Sequence, residues 1–245
     1  AYDRMEEELS VFLPLLEREQ PELVILDSYF VTPEYMKAIK GISKLFYIDD
    51  LNAFDYPADA VVNYAVYGPE MPYPQNKKYF LGPRYAPLRR QFQGLGQRIV
   101  RDHVEDVLIS IGGTDQYHAA LRCAKHLREH PPRGNMKFHF VLGAMNQDVA
   151  ELEGIAGNSP FIQLHRQVAD MCSLMCQCDA AVSAAGTTLY ELCACGLPTV
   201  TYILADNQIQ GAGAFQKAGL MPCAGDIRKN ARFLEHLCEL LNSLA

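Results

Sequence analysis

Apolar and polar positions along this chain follow two different periods, and the places where the period changes mark out its elements. Near the start, Leu9, Phe12, Leu13 and Leu16 recur at three- and four-residue intervals, so residues 2 to 18 are expected to form a helix with one buried face. Past Pro21 the pattern becomes a continuous apolar run, Leu23-Val24-Ile25-Leu26, closed by Asp27. A run of that form is a buried parallel strand whose C-terminal end delivers a polar side chain to a crevice. Thr32-Pro33-Glu34 then reads as an N-cap with proline at the first helical position, opening a helix to about Lys40. Lys44 to Ile48 is a second strand, again ending in carboxylates at Asp49 and Asp50, and Ala60-Val61-Val62-Asn63 is a third. Strands separated by helical patterns imply a parallel sheet with helices on its faces.

From Tyr64 to about Arg90 the texture changes. Pro69, Pro72, Pro74, Pro83 and Pro87 break any long element, and only Tyr79-Phe80-Leu81, before Gly82-Pro83, is apolar. The segment reads as a connection between two domains, residues 1–82 and 83–245. Beyond it a second alternation begins, with strands at 106–111, 137–142, 161–164, 179–183 and 198–202. Helices are expected at about 117–129, 168–177, 187–195 and 208–218, and a closing one from about 228 to 244. Five strands alternating with helices predict a Rossmann-like doubly wound domain, and no repeat of fixed period is visible. The fold class is α/β.

Composition narrows the function classes. With 49% hydrophobic and 21% charged residues in 245, the chain can bury a core without staples. Its formal charge is −7 and its 22 basic residues are scattered, whereas a nucleic-acid binder gathers them into a stripe that neutralises phosphates. No nucleic-acid partner is therefore expected. No apolar run approaches the roughly 20 residues that span a bilayer, and the first residues lack the basic-then-apolar order of a signal peptide, so a cytoplasmic protein without membrane insertion is expected. The absence of an initiator Met, with a helical pattern already in progress, suggests that the chain begins inside a longer protein. Among the eight cysteines, the grouping of Cys172, Cys176 and Cys178 and of Cys193 and Cys195 lacks the C-x-x-C spacing of a zinc ribbon, so buried reduced thiols, and no metal site, are expected.

Three constellations carry chemistry. Ile109-Ser110-Ile111-Gly112-Gly113-Thr114-Asp115 lies between a strand and a helix, where glycines let the backbone approach a ligand and the helix dipole favours an anion such as pyrophosphate. By itself this also describes a tight turn. Ser183-Ala184-Ala185-Gly186-Thr187-Thr188-Leu189-Tyr190-Glu191 turns from strand to helix again, with Thr187 placed to cap it and Glu191 one turn further on. A carboxylate there can accept both hydroxyls of a ribose. It can equally be the glutamate of a Thr188-x-x-Glu191 capping box. Asn207 and Gln208, after the strand that follows Gly196-Leu197-Pro198, offer donors and acceptors suited to sugar hydroxyls, or simply a polar helix start.

Taken together, in this order and spacing, these motifs resemble the C-terminal domain of the GT-B superfamily, which includes the glycosyltransferase that makes lipid II. They are more similar still to the UDP-2,4-diacetamido-2,4,6-trideoxy-β-L-altropyranose hydrolases of pseudaminic acid biosynthesis and their spore-coat polysaccharide relatives. Leu26-Asp27-Ser28-Tyr29, Ile48-Asp49-Asp50 and Leu81-Gly82-Pro83-Arg84-Tyr85-Ala86-Pro87-Leu88-Arg89 extend the resemblance over almost the whole chain. It implies a GT-B-like fold of two Rossmann-like domains, the N-terminal one incomplete. It implies a UDP-sugar substrate held by Gly112, Gly113, Thr114, Asp115, His165, Val168, Met171, Ala185, Gly186, Thr187, Thr188, Glu191, Asn207 and Gln208. The uridine would lie against the loop from His165 to Met171, the ribose on Glu191, the diphosphate by Gly186, Thr187 and Thr188, and the sugar toward Asn207 and Gln208. Tyr29 would stand near the reacting carbon, with Tyr29 and Asn207 supporting catalysis.

The family's catalytic histidine lies in a Gly-His-x-x-Arg segment, and this chain has none. Its histidines, at 103, 118, 126, 130, 139, 165 and 236, stand in other contexts. The resemblance therefore implies hydrolysis by water attack at the anomeric carbon with UDP leaving, a base supplied from outside this segment, and neither metal nor other cofactor. The expected helix N-termini near Gly113 and Gly186 would stabilise charge on the departing diphosphate. A glycosyltransferase with the same donor site and a non-catalytic UDP-sugar binder are the alternatives.

Overall fold

The computed structural model describes residues 5–132 and 134–244, and they divide into two compact units, 1–87 and 88–245. In the first unit, helix α1 (Met5–Glu19) precedes β1 (Leu23–Asp27), α2 (Pro33–Lys40), β2 (Lys44–Ile48), β3 (Ala60–Asn63) and β4 (Lys78–Leu81). The expected start of α1 at Tyr2 lies outside the described residues. All four strands are parallel, in the order β1-β2-β3-β4. As the sequence suggests, Thr32 caps α2, its hydroxyl accepting from the Tyr35 N–H at 3.2 Å with Pro33 in the first turn. One face of that helix, with Tyr35, Met36 and Ile39, is buried against Leu45 and Val61.

The apolar stretch at Tyr79-Phe80-Leu81 is not part of a connector. It forms β4, with Val62 opposite Phe80. Prolines 69, 72 and 74 lie in the crossover before it, where no ladder N–H is needed.

The second unit runs β5 (Asp106–Ser110), α3 (Ala119–Glu129), β6 (Lys137–Leu142), α4 (Val149–Ala156), β7 (Ile162–Arg166), α5 (Met171–Gln177) and β8 (Ala180–Ala184). It continues through α6 (Thr188–Ala194), β9 (Thr199–Ile203), α7 (Ile209–Lys217), β10 (Cys223–Asp226) and α8 (Phe233–Leu244). The six strands are all parallel, in the order β10-β9-β8-β5-β6-β7. Two of these elements, β10 and α4, have no counterpart in the sequence reading. Cys223-Ala224-Gly225-Asp226 carries no apolar run, and Gly225 holds φ +94° within an irregular register, so its pairing with β9 leaves no periodic trace. In α4 only Leu152 and Ile155 are buried, too few to mark a stripe.

The central strand β8 is buried at every position, and its Ala180, Ala181, Val182, Ser183 and Ala184 are all small. Phe138, Phe140, Val182, Val200 and Tyr202 build the core on one face of this sheet with residues of α3, α4 and α8. The chain moves outward from β5 through β6 to β7, then returns to lay β8 on the other side of β5. The strand order therefore reverses between β5 and β8, and a doubly wound sheet opens its ligand crevice at such a reversal, beyond the carboxyl ends of the strands.

Candidate functional site

The reversal is occupied by a cavity of about 440 Å³, within the usual range for small-molecule sites. Gly112, Gly113 and Thr114 from the turn after β5, Gly186, Thr187 and Thr188 from the turn after β8, and Ala205 and Gln208 from the turn after β9 contribute to its wall. Ser110 and Ser183, buried side by side in the β5–β8 register, reach it from the strand ends.

The first turn needs its glycines. Gly112 takes φ +94°, and a Cβ on Gly143 would sit 2.3 Å from the Gly113 carbonyl oxygen and 2.6 Å from that of Gly112. The end of β6 thus braces the turn backbone to backbone, and only glycine at 143 permits it. The Met145 N–H donating to the Gly113 carbonyl at 3.3 Å completes the brace.

Asp115 is placed differently from its neighbours. The residue is 5% exposed, and its carboxylate accepts from the N–H groups of Ala119 at 2.7 Å and Ala120 at 2.9 Å, with the Asn146 amide at 3.3 Å. It faces the start of α3 and is not in the cavity wall. Here the structure corrects an expectation: the N-terminus of α3 is not open to a diphosphate, because an internal anion already satisfies its first two N–H groups. Burial pushes the Asp115 carboxyl up, and the two backbone hydrogen bonds oppose it.

At α6 the expected cap is also absent. Thr187 precedes the helix with helical φ/ψ and makes no side-chain capping bond, nor does Glu191 reach back as a capping-box partner. Glu191 is instead gripped by Arg89, whose Nε and Nη2 donate to its two carboxylate oxygens at 2.7 and 3.0 Å. The Glu191 side chain is 15% exposed and that of Arg89 49%. This hydrogen-bonded fork raises the Arg89 guanidinium above its ordinary value. Glu191 does not line the cavity.

The remaining predicted residues are spread out. Ala185 is buried beside the wall and Asn207 is exposed outside it, while Gln208 is in the wall with its Oε1 accepting from the Leu204 N–H at 2.8 Å. His165 lies on the edge strand β7, three places from β8, with Val168 half-buried and Met171 buried at the start of α5. None of these three reaches the cavity wall. The His165 imidazole stands 3.0 Å from His139, which is bonded at 2.9 Å to Asp106. Burial, and then His139, lower the His165 pKa. In the first unit, the Tyr29 hydroxyl donates to Asp50 at 2.7 Å. Burial raises the Asp50 carboxyl, the Tyr29 bond opposes that, and Asp49 and Asp27 add to it.

Sequence reasoning assigned no role to Arg89, Gln116 or the paired Ser110 and Ser183. Arg89 closes a motif that extended the resemblance without being given a role, and a serine just before each glycine-bearing turn is a polar strand end that could have been read. No residue in the wall is charged, and none is His or Cys, so the wall holds no ordinary metal-ligand set. What it offers is backbone N–H groups and the hydroxyls of Ser110, Thr114, Ser183, Thr187 and Thr188.

No family model matches the chain. The uncharacterized protein MJ1062 of Methanocaldococcus jannaschii is 27% identical over 209 residues, covering 78% of this chain and 42% of that protein. The spore coat polysaccharide biosynthesis protein SpsG of Bacillus subtilis is 26% identical over 206 residues, 81% of this chain and 60% of SpsG. The pseudaminic acid cytidylyltransferase and UDP-2,4-diacetamido-2,4,6-trideoxy-beta-L-altropyranose hydrolase of Helicobacter pylori is 27% identical over 171 residues, 65% and 30% of the two chains. This chain thus matches 30% to 60% of the length of these relatives. Among solved structures, the kitacinnamycin glycotransferase aligns over 99% of this chain and 73% of its own, with TM-score 0.68 and 16% identity. The spinosyn rhamnosyltransferase SpnG, complexed with thymidine diphosphate, aligns over 98% and 70%, with TM-score 0.66 and 14% identity. The fold is GT-B-like, with two parallel-sheet α/β units. No helix among the described residues is long and apolar enough to cross a membrane.

Proposed function

We propose that the second unit binds a UDP-sugar in the cavity at the β5–β8 reversal, and that the protein is a nucleotide-sugar hydrolase. It would release UDP from a UDP-linked diacetamido-trideoxy sugar by attack of water on the anomeric carbon. The observation that carries the binding reading is the position of the cavity: two glycine-bearing turns and the start of α6 meet at the point where a doubly wound sheet accepts nucleotides. The hydrolase that matches 65% of this chain supports the choice of reaction.

In this reading the diphosphate lies along Gly112, Gly113, Gly186, Thr187 and Thr188. Backbone N–H groups of the two turns and the threonine hydroxyls meet its charge. Asp115 holds α3 and the turn in place rather than touching phosphate. The ribose hydroxyls take the lone pairs of Glu191 that Arg89 occupies, so nucleotide binding and the Arg89 fork compete. His165, Val168 and Met171 form the base subsite, Ala185 supports the phosphate turn, and Asn207 and Gln208 serve the sugar. Tyr29 and Asn207 assist the reaction. Because no Gly-His-x-x-Arg occurs in these 245 residues, they should bind UDP better than they turn over UDP-sugars.

Calorimetric titration with UDP tests the site: saturable one-to-one binding is expected, and its absence overturns the reading. The fold likeness to glycosyltransferases supports the second reading, transfer to a sugar or lipid acceptor. Incubating the protein with UDP-sugars, with and without candidate acceptors, separates the two. Acceptor-independent release of UDP and free sugar supports hydrolysis, whereas release only with an acceptor supports transfer.

A further inference from the structure

Three thiols whose sequence spacing suggests nothing meet at the junction of α5 and α6. Cys172 and Cys176 lie one turn apart on α5 and Cys195 ends α6, and their sulfur atoms all fall within 4.8 Å of one another. Ordinary core packing accounts for Cys172 and Cys195, which are buried and behave as small hydrophobes. It does not account for Cys176, which is exposed and yet converges on the same point.

A cavity of about 410 Å³ has Cys176, Cys195 and Arg98 in its wall. Arg98 Nη2 donates to the Cys178 carbonyl, while its Nη1 is buried with no hydrogen-bond partner. A guanidinium with a buried, unsatisfied N–H is costly unless negative charge arrives beside it.

We propose that Cys172, Cys176 and Cys195 form a three-thiolate site for a soft divalent cation of the zinc type, entered through the cavity beside Arg98. Three sulfurs on one such ion, each about 2.3 Å from it, lie roughly 3.8 to 4.0 Å apart, so the thiols need to close by less than about 1 Å. Binding replaces three S–H protons, released to solvent, with one divalent ion, and leaves the site with a single negative charge beside a cavity whose wall includes Arg98. A water completes the coordination on the exposed side of Cys176. The ion would tie α5 to the end of α6, the helix that begins at the proposed nucleotide cavity.

The test is titration of the reduced, metal-free protein with cadmium and with zinc under anaerobic conditions. One equivalent of cadmium should produce a thiolate-to-metal charge-transfer absorption, zinc should displace it, and zinc should raise the thermal midpoint. Cys176→Ser, at an exposed position where folding is undisturbed, should abolish the absorption. Cys193→Ser, an exposed thiol of α6 outside the cluster, should leave it intact. No absorption in the wild-type protein, an unchanged one in Cys176→Ser, or an equal loss in Cys193→Ser overturns the proposal.

Discussion

The two units share a plan and differ in one respect. Each is a parallel sheet, but the first advances one way, β1 to β4, while the second reverses between β5 and β8. In the first unit Asp49 and Asp50, just past β2, are spent on its own loops. Asp49 is 3% exposed and accepts from the hydroxyls of Tyr56 and Tyr73 and the N–H groups of Leu51 and Asn52. In the second unit the reversal leaves a cavity, and its wall carries no charged side chain. Along the sequence, the acids Asp27, Asp49 and Asp50 stand at strand ends of the first unit and the two glycine-bearing turns in the second. The tertiary structure gives the crevice to the second, because a crevice comes from strand order and not from the kind of residue at a strand end.

The sharpest way to break this comparison is at Gly143. Gly143→Val drives a side chain into the carbonyls of Gly112 and Gly113, and should cost about 3 kcal/mol of stability in chemical denaturation, with UDP binding lost. Asp49→Asn attacks the other unit. Losing charge-assisted bonds at a buried position should cost about 2 kcal/mol, while calorimetric affinity for UDP stays the same. A fall in affinity there would mean that the units are not functionally separate.

Glu191→Ala should weaken UDP binding by about 1 to 3 kcal/mol. Arg89→Ala should instead strengthen it, because it frees the carboxylate from its fork; weaker binding in Arg89→Ala would show that Arg89 assists rather than competes. Asp115→Asn should cost about 1 kcal/mol of stability through the α3 cap and leave UDP affinity intact, and a large affinity loss would return Asp115 to the phosphate.

The smallest effect concerns Asp226, held by the Arg228 fork at 2.8 and 2.7 Å. That fork depresses its carboxyl from 3.8 to about 2. A depressed folded-state value means the pair's contribution is complete above about pH 4 and is lost as pH falls toward 2. Denaturation midpoints followed across that window should fall more steeply for the native protein than for Asp226→Asn.

Much of the fold was legible in local pattern. Apolar runs at 23–27, 44–48, 106–110 and 137–142 are strands, and Thr32-Pro33 opens a helix as its chemistry requires. The strand β4 hid among prolines, and β10 carried no run of large apolar residues, because edge and irregular strands depend on a partner rather than on their own hydrophobicity. The glycine-bearing turns of the cavity were legible too, since strand, glycine and helix follow one another in the chain. The partners of the site's acids were not. Asp115 turned onto its own helix, and Glu191 found Arg89 across 102 positions.

By itself the sequence determined the elements, the two glycine-bearing turns and the likeness to GT-B proteins, because periodicity and turn chemistry are set by neighbours along the chain. Only the tertiary structure decided that β8 returns beside β5, that Arg89 holds Glu191, and that the sulfurs of Cys172, Cys176 and Cys195 share one point. Those pairings follow from the direction of each crossover. The direction depends on how whole helices pack against the sheet, and the spacing of polar residues does not encode it.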